Sequence, residues 1–291
     1  MAPTPTALPS PLTARKTWRT VEPLHGMIYF APEASESYTR AGLAPEAGYF
    51  ASRSAPMGAV SADTVIATFY NFRPGLVAGA MAGVWAATTP EVVLRARAEA
   101  ADAALRRMLG DAVDSPEMAR AATLVRRAAV RAATDRAGRP LFAGHAGLEW
   151  PEAPHLVVWH AQTLLREYRG DGHVAALVVH GLDPVEALVM HAASGEVPVP
   201  FLRSSRGWTD EEWQAGVGRL RLRGLLAASE GDGPVPPLTP AGTALRQAIE
   251  DRTDELAVRA YQALDEDECT ELRTLVRPFS KAVVDGAGLG F

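Results

Sequence analysis

The chain has 291 residues, 47% of them hydrophobic; that is enough to bury a sizeable core in one large or two ordinary domains, and two are expected. A net charge of −5 excludes a global attraction to phosphate, so any contact with nucleic acid has to come from a local basic patch. The single cysteine, Cys269, excludes an internal disulfide framework and a zinc cluster built on thiolates, and fits a reducing compartment.

The opening "MAPTPTALPSPLTARKTW" is rich in Pro and Thr without an apolar core, so residues 1–16 read as a disordered leader and not as a signal peptide. Apolar runs such as "VAALVVHGL" fall well short of the roughly 18 residues a membrane span needs. A cytoplasmic protein with no membrane partner is therefore expected. Lys occurs only at positions 16 and 281, Arg carries the remaining basic charge and Ala is abundant, a composition typical of high-GC genomes.

From Val21 onward the chain reads as helices punctuated by Pro and Gly. The first covers "TVEPLHGMIYFAPEASESYTRAGL", with Leu24, Ile28, Ala31 and Tyr38 near helical spacing and Gly42 as a stop. "SADTVIATFYNFRPGLVAGAMAGVW" carries two more, with Ser61 as N-cap of one and Pro74 in the first turn of the other. Thr89-Pro90 opens an amphipathic helix to about Leu109, and Ser115-Pro116 opens another to about Thr134. Residues 135–154, rich in Gly and Pro, mark the expected boundary between a helical N-terminal domain (17–140) and a C-terminal domain (150–291). Beyond it, "PHLVVWHAQTLLREYRG" and "DGHVAALVVHGL" read as two helices, and Pro184 starts "PVEALVMHAA".

Thr209 followed by Glu212 forms a capping box, and Trp213, Val217 and Leu220 then make one buried stripe. "RGLLAASEGDGPVPPLTPAG" reads as a strand, a turn and a return, a small β-wing. Thr239-Pro240 caps a long helix with Leu245, Ile249, Leu256 and Leu264 inward, and a last helix covers about 266–284.

The order helix, helix, "RGLL", wing, "LTPAG", long helix "IEDRTDELA", final helix resembles the MarR-type winged-helix regulators over about 183–284. The upstream stretches "YFAPEA", "YFASRSAPMG", "ATFYNFRP" and "LLREYRGDGHVAAL" resemble an actinobacterial helix-turn-helix family with a MarR-like C-terminal half. The resemblance implies a mainly α fold: a helical N-terminal domain, then a MarR-like winged-helix domain with a small β-wing. It makes "PVEALVMHAA" the supporting helix and residues 209–224 the reading helix.

A reading helix offers its N-terminal side chains to base edges and its N-terminal amides to phosphate. Here that end carries Asp210, Glu211 and Glu212, which repel phosphate and occupy the positive end of the helix dipole themselves. The wing adds Glu230 and Asp232 and no cation between Arg223 and Arg246. Arg219, Arg221 and Arg223 are the only candidates for DNA contact, set against the alternative that they serve the dipole at the helix C-terminus. Direct DNA reading in the usual pose is disfavoured.

Among the seven histidines, His173 and His180 lie seven residues apart, about 10 Å along a helix, too far to share one ion. With no HExxH motif, no metal and no cofactor is expected. In "REYRGDGHVAAL", Arg166 and Arg169 could clamp an anion beside His173, against the alternative of a tight helix–helix turn capped by Asp171. In the N-terminal half, Tyr29, Glu33, Tyr49 and Arg53 belong to a dense polar-aromatic stretch of the kind that lines pockets for small molecules; plain core packing is the alternative.

Two functions follow. One is a ligand-responsive, MarR-like transcription regulator, a homodimer with a small molecule held between its two domains. The other is a winged-helix scaffold that no longer reads DNA and acts as an enzyme or ligand-binding protein in specialised metabolism, with His173 as the best general acid or base.

Overall fold

A computed structural model describes residues 7–228 and 235–286. The helices in chain order are α1 (Pro11–Gly26), α2 (Pro32–Arg40), α3 (Gly48–Ser54), α4 (Ala62–Phe69), α5 (Pro74–Met81), α6 (Val84–Ala87), α7 (Pro90–Leu109) and α8 (Pro116–Ala132). They continue with α9 (Pro140–His145), α10 (Pro154–Val179), α11 (Pro184–Ala193), α12 (Val199–Arg206), α13 (Asp210–Leu222), α14 (Pro240–Tyr261) and α15 (Glu266–Gly286). Proline starts many of them because the first turn has no use for the missing N–H and the fixed φ suits a helix. Side-chain caps set several starts: Ser61, Thr89 and Ser115 accept from the backbone N–H three residues on.

Four expectations about individual elements change. The leader expected over 1–16 is helical from Pro11, because Ser10 caps Thr13 N–H at 3.0 Å; residues 1–6 lie outside the described part. The single helix expected over 20–43 divides in two, since Ala31 precedes Pro32 and is held in the extended region. Residues 154–179 form one continuous helix in place of two with a turn. Gly172 is kept for close approach: a Cβ there would stand 2.8 Å from the Arg139 guanidinium and 3.4 Å from Leu256 Cβ. Asp171 caps a different helix, accepting the Phe142 N–H at 3.0 Å in the first turn of α9.

The fourth correction is the β-wing. Among the described residues there is no β-strand, and the expected wing reduces to one antiparallel bridge, Leu226 with Leu238. Ala227 N–H donates to Pro237 O and Thr239 N–H to Leu225 O, and pairing stops there because Pro236 and Pro237 bring no N–H to the ladder. Glu230 and Asp232, assigned to the wing tip, lie outside the described residues. The mainly α class stands; a winged helix with a β-wing does not.

The chain forms two compact units that interleave in sequence. Unit 1 takes the described residues within Met1–Val60, Gly83–Gly172 and Asp254–Phe291, and unit 2 those within Ser61–Ala82 and His173–Thr253. This division does not follow the boundary expected at 135–154, because the unit borders at 172/173 and 253/254 fall inside α10 and α14.

In unit 1, α1 packs along α15. The buried positions 14, 17, 21 and 24 of α1 and 269, 272, 276, 279 and 283 of α15 step by three and four, one apolar stripe on each helix. α15 also meets α7 and α8, and α7 meets α2 and α3. The inner face of α7 is Val93, Ala96, Ala100, Ala101, Ala104 and Leu105, with one charged residue, Arg97. In unit 2 a single core joins Leu188 and Val189 of α11, Leu202 of α12, Trp213, Val217 and Leu220 of α13, and Ile249 of α14. Gly242 of the "LTPAG" segment lies against the Leu225 carbonyl, so close that a Cβ would stand 2.1 Å from its oxygen. That contact explains why the segment after the bridge requires glycine.

Candidate functional site

In unit 2, α12 and α13 are joined by the three residues Gly207, Trp208 and Thr209, the spacing of a helix-turn-helix. The sequence reading placed α11 in the supporting role and had no helix over 199–206. Pro198 is the N-cap of α12 and Pro200 sits in its first turn, where neither costs a hydrogen bond. The turn is pinned by Trp208, whose indole N–H donates to Asn71 O at 2.9 Å, and by Arg73 N–H donating to Arg206 O at 3.0 Å.

The start of α13 is satisfied from within. Thr209 accepts Glu212 N–H at 3.2 Å, and Glu212 accepts Thr209 N–H at 3.0 Å, the expected capping box. Arg73 pairs with Glu212 at 2.9 Å and Arg203 pairs with Asp210. These hydrogen bonds, with Thr209 ahead of Arg73, hold the Glu212 carboxyl below the ordinary carboxylate range. The arginines at the other end are engaged too. Arg219 reaches Asp183 at 2.5 Å and Glu186 at 3.2 Å, while Arg223 reaches Glu186 at 3.1 Å and Gly181 O at 2.9 Å. Asp183 and Glu186 are the capping box of α11, so one carboxylate pair both starts that helix and neutralises two cations of α13. Arg221 donates to Ala227 O at 3.2 Å.

The exposed residues of α13 are Asp210, Glu211, Gln214, Ala215, Arg219 and Leu222, and the one cation among them, Arg219, is held by Asp183 and Glu186. Segments 61–82 and 173–253 together hold eight arginines against eleven carboxylates. The electrostatic footprint expected of a phosphate-binding face is therefore missing from the usual reading pose.

Unit 1 assembles four of the six residues assigned to a ligand site. The Tyr29 and Tyr49 rings stand 5.0 Å apart, Arg53 lies 5.2 Å from the Tyr49 ring centre, and Arg166 lies 5.3 Å from that of Tyr29. A cavity of about 230 Å³ opens beside both tyrosines, lined also by Ile28, Tyr38 and Leu43. The cations are committed to partners. Arg53 holds Glu167 in a two-pronged pair at 3.1 and 2.7 Å and donates to Tyr49 Oη at 2.5 Å; Arg166 pairs with Glu22. Burial alone would raise the Glu167 carboxyl, but the charge and hydrogen bonds of Arg53 outweigh it and bring the group down to about 2. Glu167 was not singled out from sequence; its distance of 114 residues from Arg53 leaves no local signal.

Behind the tyrosines, His25 is fully buried, 2.8 Å from Thr163 Oγ1 and 2.8 Å from Tyr29 Oη. The Thr163 hydroxyl donates to Trp159 O at 2.9 Å, so it accepts from His25 Nδ1–H, and His25 Nε2 accepts from the Tyr29 hydroxyl. Burial, then Arg97, lowers the His25 pKa and keeps the ring neutral. Glu33 stands apart, paired with Arg107, whose hydrogen bond lowers its pKa.

His173 belongs to unit 2 and lines a cavity of about 290 Å³ with Asn71, His191, Arg206 and Arg246. Thr253 Oγ1 donates to Ile249 O at 2.7 Å, so it receives the His173 Nδ1–H at 2.9 Å. Among the described residues no group of three or more His, Cys, Asp or Glu is placed to hold a metal ion, and no single helix is long and apolar enough to cross a membrane.

A model of a helix-turn-helix family matches residues 14–289, both units included. The chain belongs to this helix-turn-helix family. No curated protein and no solved structure matches it. Membership associates this helix-turn-helix protein with DNA-binding regulators, and the α12–turn–α13 array supplies the element after which the family is called.

Proposed function

We propose that this helix-turn-helix protein is a ligand-responsive transcription regulator of the MarR-like kind, a cytoplasmic homodimer in which a small molecule taken by unit 1 biases the DNA competence of unit 2. The observation that carries the reading is the extent of the family match: it spans 14–289, so the buried polar-aromatic unit is as much part of the family's shared architecture as the α12–α13 array. A ligand shifts such a protein only through different affinities for its two states. The test is binding to the DNA upstream of its own gene over a salt series, with and without small-molecule cell extract. Phosphate contacts make affinity fall steeply with salt. Sequence-dependent, salt-sensitive binding altered by the extract supports the reading; no binding at low salt by a folded sample sinks it.

One observation favours a second reading, a helix-turn-helix scaffold that does not read DNA and serves as an enzyme or ligand-binding protein. Arg219 and Arg223 are held by Asp183 and Glu186, and α13 exposes Asp210 and Glu211 with no cation besides Arg219. In that case His173, with its Nδ1–H held by Thr253, is the group to test as an acid or base. Turnover of a metabolite lost in His173→Gln, with no DNA binding, would establish it.

A further inference from the structure

Arg97 breaks the apolar face of α7 and is 2% exposed, yet among the described residues no carboxylate pairs with it. Its Nη1 donates to Ser52 Oγ at 3.2 Å, its guanidinium lies 5.4 Å from the Trp159 ring centre, and its Nη2 has no hydrogen-bond partner. The other buried guanidiniums of the unit are satisfied, Arg53 by an ion pair with Glu167 and Arg139 by the carbonyls of Tyr168 and Leu256. A buried cation with unmet donors is costly unless an anion completes it.

The space for that anion is present. Arg97, Trp159 and His160 line a cavity of about 450 Å³ within unit 1, whose walls include Leu94, Leu156 and Trp150. Trp159 and His160 are 7% and 4% exposed, and Trp159 Nε1 and His160 Nε2 are buried without partners, as is Arg97 Nη2. The indole and the guanidinium can only donate, so two residues that line one chamber each carry an unmatched, buried donor. The remaining lining charges, Arg95 and Glu149, are exposed at its margin. Burial, with Arg97 and Arg126 nearby, brings His160 down to about 4, so it adds no second cation at neutral pH. One buried cation and largely apolar walls suit a monoanion on an apolar body, in a volume typical of small-molecule sites.

We infer that this cavity binds an organic carboxylate with an aromatic or aliphatic body, its carboxylate on Arg97 and Trp159 Nε1–H and its body against Trp150, Leu94 and Leu156. The inference deepens the ligand-responsive reading and rests on it for its biological meaning.

The test uses the full-length protein and three carboxylates (benzoate, 3-phenylpropionate and 1-naphthoate), with 1-naphthamide and inorganic phosphate as controls, followed by calorimetry and by quenching of tryptophan fluorescence. At least one carboxylate is expected to bind, with 1-naphthamide at least tenfold weaker than 1-naphthoate and no uptake of phosphate. Arg97→Gln should weaken carboxylate binding at least tenfold. Should that variant fold poorly, Ala98→Phe decides: it fills the cavity from a partly exposed position of α7 and should abolish binding with an unchanged melting profile. Equal affinity for amide and acid, undiminished binding by Ala98→Phe, or no carboxylate bound up to millimolar concentration overturns the inference. The regulator reading fails separately: a DNA response to extract that survives in Ala98→Phe refutes this cavity and leaves that reading intact, whereas carboxylate binding without any DNA binding does the reverse.

Discussion

Replacing Glu167 by Gln removes one half of a pair whose side chains are 2% and 11% exposed, and leaves the Arg53 guanidinium buried without a counter-charge. Two estimates of the cost converge. The Glu167 carboxyl is brought from 4.5 to about 2, which corresponds to about 3 kcal/mol of preference for the charged form in the folded state. Breaking a buried pair by removing one partner costs about 3–5 kcal/mol. Because the folded pKa lies below the ordinary value, the contribution is fully present above pH 4.5 and is lost as pH falls toward 2. Urea unfolding of wild type, Glu167→Gln and the double variant Arg53→Met/Glu167→Leu, at pH 7 and pH 3, measures it. The single variant should lose about 3–5 kcal/mol at pH 7 and a smaller amount at pH 3, and the double variant, which buries no lone charge, should lose less than the single. A Glu167→Gln protein within about 0.5 kcal/mol of wild type at pH 7, or a gap independent of pH, would refute the reasoning.

Gly242→Ala puts a Cβ 2.1 Å from the Leu225 oxygen, so unit 2 should lose about 2 kcal/mol or more, read as faster hydrogen exchange of α13 amides; unchanged exchange would contradict the contact. Asp171→Asn tests a carboxyl that burial pushes up to about 6. A raised folded pKa means that wild type loses stability as pH rises from about 4 through 6, so the Asn variant, which keeps an acceptor for Phe142 N–H, should melt higher than wild type at pH 8 and lose that advantage at pH 4. The Cys269 thiol is fully buried, and burial pushes it up to about 11; Ellman's reagent should label the native protein slowly and modify one thiol on denaturation, and rapid native labelling would show the site to be open. Arg219→Ala leaves the buried Glu186 with Arg223 alone, and should cost about 1–3 kcal/mol in unfolding. If DNA binds, the salt slope should be unchanged in that variant; a slope reduced by about one would mean that Arg219 leaves its carboxylates for phosphate.

Local rules carried much of the fold. Start signals at Ser61, Thr89, Ser115 and Thr209 are contained within four residues of sequence, and each is found capping the helix it announces. The acidic opening of α13 was equally visible, since it too is local. The prolines before α12 and in the arm 236–237 show one property with opposite consequences, since the missing N–H is harmless in a first turn and decisive against a ladder.

The candidate sites were legible only in part. Aromatic density around Tyr29 and Tyr49 marked a real cluster, but Glu33 and His173 were grouped with it by sequence proximity or polarity alone, and they face Arg107 and Thr253. By itself, then, the sequence determined several helix starts and their caps, the single cysteine and the charge balance, because each depends on neighbours a turn or two away or on composition. Only the tertiary structure decided which charges are neutralised. Glu167 answers Arg53 across 114 residues and Glu186 answers Arg219 across 33, while Arg97 is answered by no carboxylate among the described residues. An ionic partner is set by where folded helices bring distant side chains together, and that distance in space has no counterpart in the spacing along the chain.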